Sequence, residues 1–142
     1  VAIGLKPTHI GSYDHLYSVL QRLDRYEESL EIADKGISQG KRHVAKVQDD
    51  QDARLHMALL MARLGLQDDA RAQLDEARHR SPKDGFTAFH TACVLALLGD
   101  VPHAMESLKL AQARGYFVKT EVVRNNDLDI LRGLAEFEQL SS

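Results

Sequence analysis

Apolar residues recur at helical spacing through most of the chain, and they do so in pairs of segments separated by a short break. The stretch Asp52–Asp84 shows the pattern in full. Leu55, Met57, Ala58, Leu60, Met61 and Leu64 give one broad apolar face. Gly65 then ends that helix, because the residue after a helix end often needs a positive φ. The acidic pair Asp68 and Asp69 suits the start of a second helix, where the backbone dipole is positive. The apolar side of that helix is Ala70, Leu74 and Ala77, and Ser81-Pro82 breaks it. The same frame returns 34 residues later, at Gly99, Ala104, Leu108 and Ala111. Small residues at the outer two positions let helices approach closely, and leucine between them fills the gap.

Residues 10–40 form a weaker copy. Tyr13, Leu16, Tyr17, Leu20 and Leu23 share a helix face, Asp24 takes the place of Gly65, and Ser29, Ala33 and Gly36 continue the second helix. Ser29 and Ala70 are 41 residues apart rather than 34, so an insert of seven lies between the copies, within about 40–51. Seven residues is close to two helical turns. An elongated helix keeps the downstream faces in phase; a loop, helped by Gly36 and Gly40, is the alternative. Residues 85–118 carry the third copy, whose first helix is apolar nearly all round and should be covered on both sides. Residues 119–142 leave the frame. Asn125-Asn126-Asp127 is a turn or cap signal, and Leu128, Ile130, Leu131, Leu134, Phe137 and Leu140 supply a further apolar face. Short helices are expected near 119–124 and 133–140. The expected role of 127–140 is to cover the open face of the third copy's second helix. At the other end, Leu5 and Pro7 fall where a repeat would finish. They read either as the remnant of an earlier repeat, with the chain from Val1 a fragment of a longer array, or as a frayed terminus.

These residues resemble the tetratricopeptide repeat, a 34-residue helical hairpin with the pattern W-x2-L-G-x2-Y, A-x3-F and P. Here the template reads Arg54-x2-Met57-Ala58-x2-Met61, Ala70-x3-Leu74 and Pro82. The third copy reads Ala88-x2-Thr91-Ala92-x2-Leu95, with Tyr116 in place of the proline. The second half of each repeat matches; the Trp and Tyr of the first half are missing. RGY followed by DLDILRGLAEF is similar to endings of bacterial arrays of this family. The resemblance implies an all-α solenoid of about three helix-turn-helix repeats with a C-terminal cap, forming one domain over residues 1–142.

Composition narrows the function. The chain has 18 Lys and Arg against 21 Asp and Glu, a net charge of −3, which argues against general nucleic-acid binding. No apolar run approaches the length of a membrane span. One cysteine, Cys93, leaves no internal disulfide and no cysteine-rich zinc site. Phosphate loops, nucleophile elbows and HExxH motifs are lacking. The acidic pairs Glu27-Glu28, Asp49-Asp50 and Asp68-Asp69 fit helix starts and solvent better than paired acid and base. No enzyme chemistry, cofactor or metal is therefore expected.

The candidate site is a groove. His15, His56 and His90 share one position of the frame, each 14 residues before Ser29, Ala70 or Ala104. The resemblance implies that the first helices line a concave surface and that side chains near this position face a bound peptide. The groove would be lined by His15, Ser18 and Arg22 beside Asp14 in the first copy. The second contributes Leu55, His56, Leu59 and Arg63 beside Asp52, and the third Phe86, Phe89, His90 and Cys93 beside Leu97. Neighbouring histidines about 10 Å apart, a helix-packing distance, are too far for one metal ion. Peptide contact, a charge change near pH 6.5, and a coincidence of phase are the readings left. Phe86 and Phe89 equally suit packing against the second repeat. The Lys and Asn set that grips carboxylate-ended chaperone tails in some members of the family is missing. The expected function is a module that binds a partner peptide or protein segment. The alternatives are a regulatory or docking domain of a larger enzyme or signalling protein, and a self-associating scaffold.

Overall fold

A computed structural model describes residues 9–80, 84–116, 119, 122 and 125–141. Among them every regular element is helical, and there is no strand. The chain divides into two compact units, Val1–Arg80 and Ser81–Ser142.

The first unit holds α1 (Ile10–Arg22), α2 (Tyr26–Lys46), α3 (Gln51–Arg63) and α4 (Gln67–Arg80). Two hairpins, α1–α2 and α3–α4, are closed by one turn geometry. After α1, the Asp24 amide donates to the Gln21 carbonyl and the Arg25 amide to Leu20, at 3.1 and 2.9 Å. After α3, Gly65 donates to Ala62 and Leu66 to Met61 at the same two distances. This paired bonding satisfies carbonyls that a helix end would leave orphaned, and it needs a left-handed residue. Asp24 has φ 59° and Gly65 φ 80°. The next residue already begins the following helix, since Ser29 and Ala70 donate to Arg25 and Leu66.

The seam of each hairpin is built from the small frame positions. Ser29, Ala33, Ala70 and Ala77 are fully buried, and Leu74 fills the space between the last two. On α2, Gly36 and Gly40 take the close-approach role. A methyl group on Gly36 would lie 2.7 Å from Leu60 Cδ1 of α3 and 2.8 Å from Tyr13 Cβ of α1. One on Gly40 would lie 2.8 Å from Met57 Sδ. So α3 packs on both helices of the first hairpin. The segment 40–46 continues α2, which reaches 21 residues. It ends where His43 Nε2 meets Asp50 Oδ2 at 2.6 Å, while Asp50 Oδ1 accepts from the Ala53 amide and caps α3. Such a cap contributes about 1 kcal/mol. Arg54, in the degenerate half of the repeat, is buried and hydrogen-bonded. Its Nε donates to the Gln48 carbonyl and its Nη1 to Gln73 Oε1.

The second unit holds α5 (Gly85–Leu97), α6 (Val101–Ala113), a 3-10 turn η1 (Asn126–Leu131) and a final helix, Ala135–Ser141. Gly99 closes α5–α6 with φ 81° and the same pair of bonds, to Ala96 and Leu95. Ala104, Leu108 and Ala111 are fully buried in its seam. Asp84 and Asp100 cap the two helices by accepting from the Thr87 and His103 amides, and Pro102 sits in the first turn of α6 where no amide is needed.

The C-terminal segment, expected to cover α6, does lie against it through both η1 and the final helix, and η1 packs more extensively on α5. The reason is local anchoring. Leu128 and Leu131 are fully buried, Asn125 Nδ2 donates to Cys93 Sγ of α5, and Arg132 holds the segment's shape. The Arg132 guanidinium donates to the carbonyls of Val122 and Asn125, and lies 5.6 Å from the Phe137 ring. Both α6 and η1 pack on α5, whose residues from Thr91 to Ala96 are all buried. The short helix expected near 119–124 lies mostly outside the described residues, as do Pro82 and the N-terminal Leu5–Pro7.

The seam gives a signed prediction. In an ordinary helix interior Gly→Ala gains up to about 1 kcal/mol. Gly36→Ala is expected to lose about 1–3 kcal/mol instead, because the new methyl meets Tyr13 Cβ, which cannot swing away. Gly40→Ala meets only the Met57 thioether, a flexible group, and should be close to neutral. Urea denaturation of both variants measures the difference; equal effects would contradict this packing.

Candidate functional site

In the first unit, the side chains expected in a groove lie along α1 and α3, and most of them are engaged with each other. Asp14 of α1 and Arg63 of α3 form an ion pair, with both side chains largely shielded from solvent. The Arg63 guanidinium also lies 5.6 Å from the Tyr17 ring centre. Ser18 Oγ donates to the Asp14 carbonyl at 3.2 Å. His15 and Arg22 are exposed on α1.

His56 is partly buried between the two helices. Its Nδ1 donates to the Asp52 carbonyl at 2.9 Å and lies 3.3 Å from the Asp52 carboxylate. The ring lies against Gly11 of α1; a methyl group there would be 3.3 Å from Cε1 and Nε2. Burial is the largest single influence on its pKa and pulls it down. The hydrogen bond to Asp52, the charge of that carboxylate and the more distant charge of Asp50 together outweigh it, and the pKa is raised above 6.5.

In the second unit, His90 repeats the backbone bond of His56. Its Nδ1 donates to the carbonyl four residues earlier, Phe86, at 3.0 Å. The frame equivalence of these two histidines is thus a shared geometry as well as a shared spacing. Around His90 is an aromatic cluster. Phe86 lies 4.2 Å from the His90 ring, and Tyr116 lies 6.0 Å from Phe86 and 5.1 Å from Phe89, centre to centre. Gly85 permits this, because a methyl group on it would be 2.8 Å from Tyr116 Cβ. Phe86 is 42% exposed, whereas Phe89 is 2% exposed.

Four of the expected groove residues are therefore corrected. Leu55, Leu59, Phe89 and Cys93 are buried and offer a ligand no surface. For Phe89 and Cys93 the cause is visible: Tyr116 stacks on the first, and Asn125 approaches the second at 3.5 Å. His15, Ser18, Arg22, His56 and Arg63 keep exposed or partly exposed positions in the first unit, and Phe86 and His90 do so in the second. Sequence reasoning missed Tyr116 as a member of the cluster. The signal was its position, 34 residues after Pro82, where an aromatic replaces the residue expected there.

The cluster can bind by apolar and aromatic contact. Among the described residues no group of three or more His, Cys, Asp or Glu side chains is placed to hold a metal ion. Nor, among them, is any helix long and apolar enough to cross a membrane. No family model matches the chain, and no curated protein or solved structure matches it.

The His56 geometry predicts a pH dependence. A pKa raised in the folded state contributes stability that is fully present below the unfolded value, about 6.5, and is lost as pH rises through the folded value. Asp52→Asn removes the carboxylate and with it most of that contribution. The stability gap between wild type and Asp52→Asn is expected to be largest near pH 5.5 and to shrink above about pH 7. Thermal melts across that range measure the gap, and a gap that grows with pH would contradict the assignment.

Proposed function

We propose that this chain is a tetratricopeptide-type α-solenoid whose function is protein–protein recognition: it binds a partner peptide or protein segment and performs no chemistry on it. Three hairpins with one frame, one turn geometry and one kind of small-residue seam support the family reading. The missing Trp and Tyr, and Tyr116 in the place of proline, are departures from it. The observation that carries the function is the exposed Phe86 ring, which His90 and Tyr116 flank rather than cover.

Burying such a ring under a partner's apolar side chain gains free energy in proportion to the area covered. The neighbours already hold the ring in place, so little side-chain entropy remains to be lost on binding. The imidazole of His90 adds a polar group beside the apolar one, which gives orientation as well as affinity. On α1 and α3 of the first unit, His15, Arg22, Ser18 and the shielded Asp14–Arg63 pair offer hydrogen bonds and charge rather than apolar area.

Selection of displayed random peptides against the purified chain tests this reading. The expected result is a set of peptides sharing an apolar or aromatic residue, whose affinity falls about thirtyfold in Phe86→Ala, a loss of roughly 2 kcal/mol. Glu106→Ala, on the exposed side of α6, should leave it unchanged. Selected peptides that bind Phe86→Ala as tightly as wild type would place recognition away from this cluster.

A further inference from the structure

The back of α2 carries a charge pattern that neither the hairpin seams nor the Phe86 cluster uses. Helical phase puts Glu31 and Arg42 opposite the seam glycines Gly36 and Gly40, on the side turned away from both α1 and α3. Exposure of this side is therefore imposed by the packing of α2 itself. Along it the sign of charge changes once. Glu27, Glu31 and Asp34 come first, and beyond Lys35 come Lys41, Arg42 and Lys46, all exposed. None of them has an ion-pair or side-chain hydrogen-bond partner among the described residues. The helix dipole accounts for Glu27 in the first turn and Lys46 in the last, since its influence fades within a turn of each end. Glu31, Asp34, Lys41 and Arg42 lie further in. Glu27 and Glu31 are like charges four residues apart, and so are Arg42 and Lys46, an arrangement that costs a helix stability. The opposite charges that would relieve them are out of reach on the same helix: Glu31 and Arg42 stand about 16 Å apart along its axis.

We propose that the back of α2 is a self-pairing surface, on which the α2 helix of a second copy of this chain lies antiparallel. The occupant follows from charge complementarity. A two-fold axis turns a patch onto itself, so the patch complements itself only when its two halves carry opposite signs. Pairing centred between Gly36 and Ile37 sets Glu31 opposite the partner's Arg42 and Glu27 opposite the partner's Lys46. The axis then repeats both pairs. Each like-charge pair within one helix thereby gains an opposite pair across the interface. A uniformly anionic occupant, such as a nucleic acid or a lipid surface, would be repelled by the acidic half. Exposed ion pairs each contribute little, and one helix against another covers less area than a stable dimer needs. The pairing is therefore weak and sensitive to salt.

Charge exchange tests this on the intact chain by analytical ultracentrifugation. At about 0.5 mM chain and low salt, the average mass of the wild type should rise above the monomer. It should return to the monomer when salt is raised to about 0.5 M. Glu31→Arg and Arg42→Glu should each be monomeric at low salt, because each sets like charges opposite one another. An equimolar mixture of the two should associate again, since every facing pair then has opposite signs. Circular dichroism identifies a variant that has lost its helices, and the same exchange at the outer pair, Glu27→Lys with Lys46→Glu, then takes its place. A wild type that stays monomeric at low salt overturns the proposal. So does association that both single variants retain, and so does a mixture that stays monomeric.

Discussion

The backbone between the two helices of each hairpin has to pass through a left-handed residue, and the rest of the architecture depends on that constraint. Asp24, Gly65 and Gly99 all occupy it, with φ between 59° and 82° as in the related stop at Gly115. The reversal takes so few residues that the following helix begins within one turn of the preceding one. Its first inward position, Ser29, Ala70 or Ala104, then falls at the crossing, where only a small side chain fits. One turn further on, Leu74 and Leu108 are buried between this position and the next small one, Ala77 or Ala111. Turn and seam are thus one device: changing the residue at either place alters how closely the two helices meet.

Much of this was legible in the sequence because it is local and periodic. A glycine five residues before an alanine, repeated at 34, fixes a turn and a crossing without knowledge of the rest of the chain. The seven extra residues between the first two copies also made physical sense beforehand, since two added turns preserve the phase of a helix. What the sequence did not show was which faces are already covered. Leu55, Leu59, Phe89 and Cys93 have the spacing of groove residues yet are buried; Asn125, which approaches Cys93, is 32 residues away from it. Asp14 and Arg63 are 49 residues apart, and nothing in either neighbourhood announces that they pair. The contact between His56 and Gly11 was hidden for the same reason.

The histidines illustrate how a shared spacing can serve different ends. His56 and His90 make the same bond to the carbonyl four residues back, so the frame sets their orientation. Their surroundings then separate them. His56 fills a gap beside Gly11 and is tuned by Asp52 and Asp50, which makes it part of the α1–α3 contact. His90 lies in an aromatic cluster beside an exposed Phe86, where a side chain from outside can reach. Position in a repeat therefore directs a side chain, and the neighbours decide how far it is enclosed.

The most direct test of the account is the stability of Gly65→Ala and Gly99→Ala. Nothing lies within 4 Å of a methyl group built at either position, so steric clash with neighbouring groups is not in play and only the backbone is tested. A left-handed conformation costs a residue with a Cβ about 1–2 kcal/mol. Each variant should therefore lose roughly that amount in urea denaturation, with no change in the slope of the transition. Wild-type stability in both variants would contradict the claim that these hairpins are closed by a left-handed residue at a fixed point of the repeat.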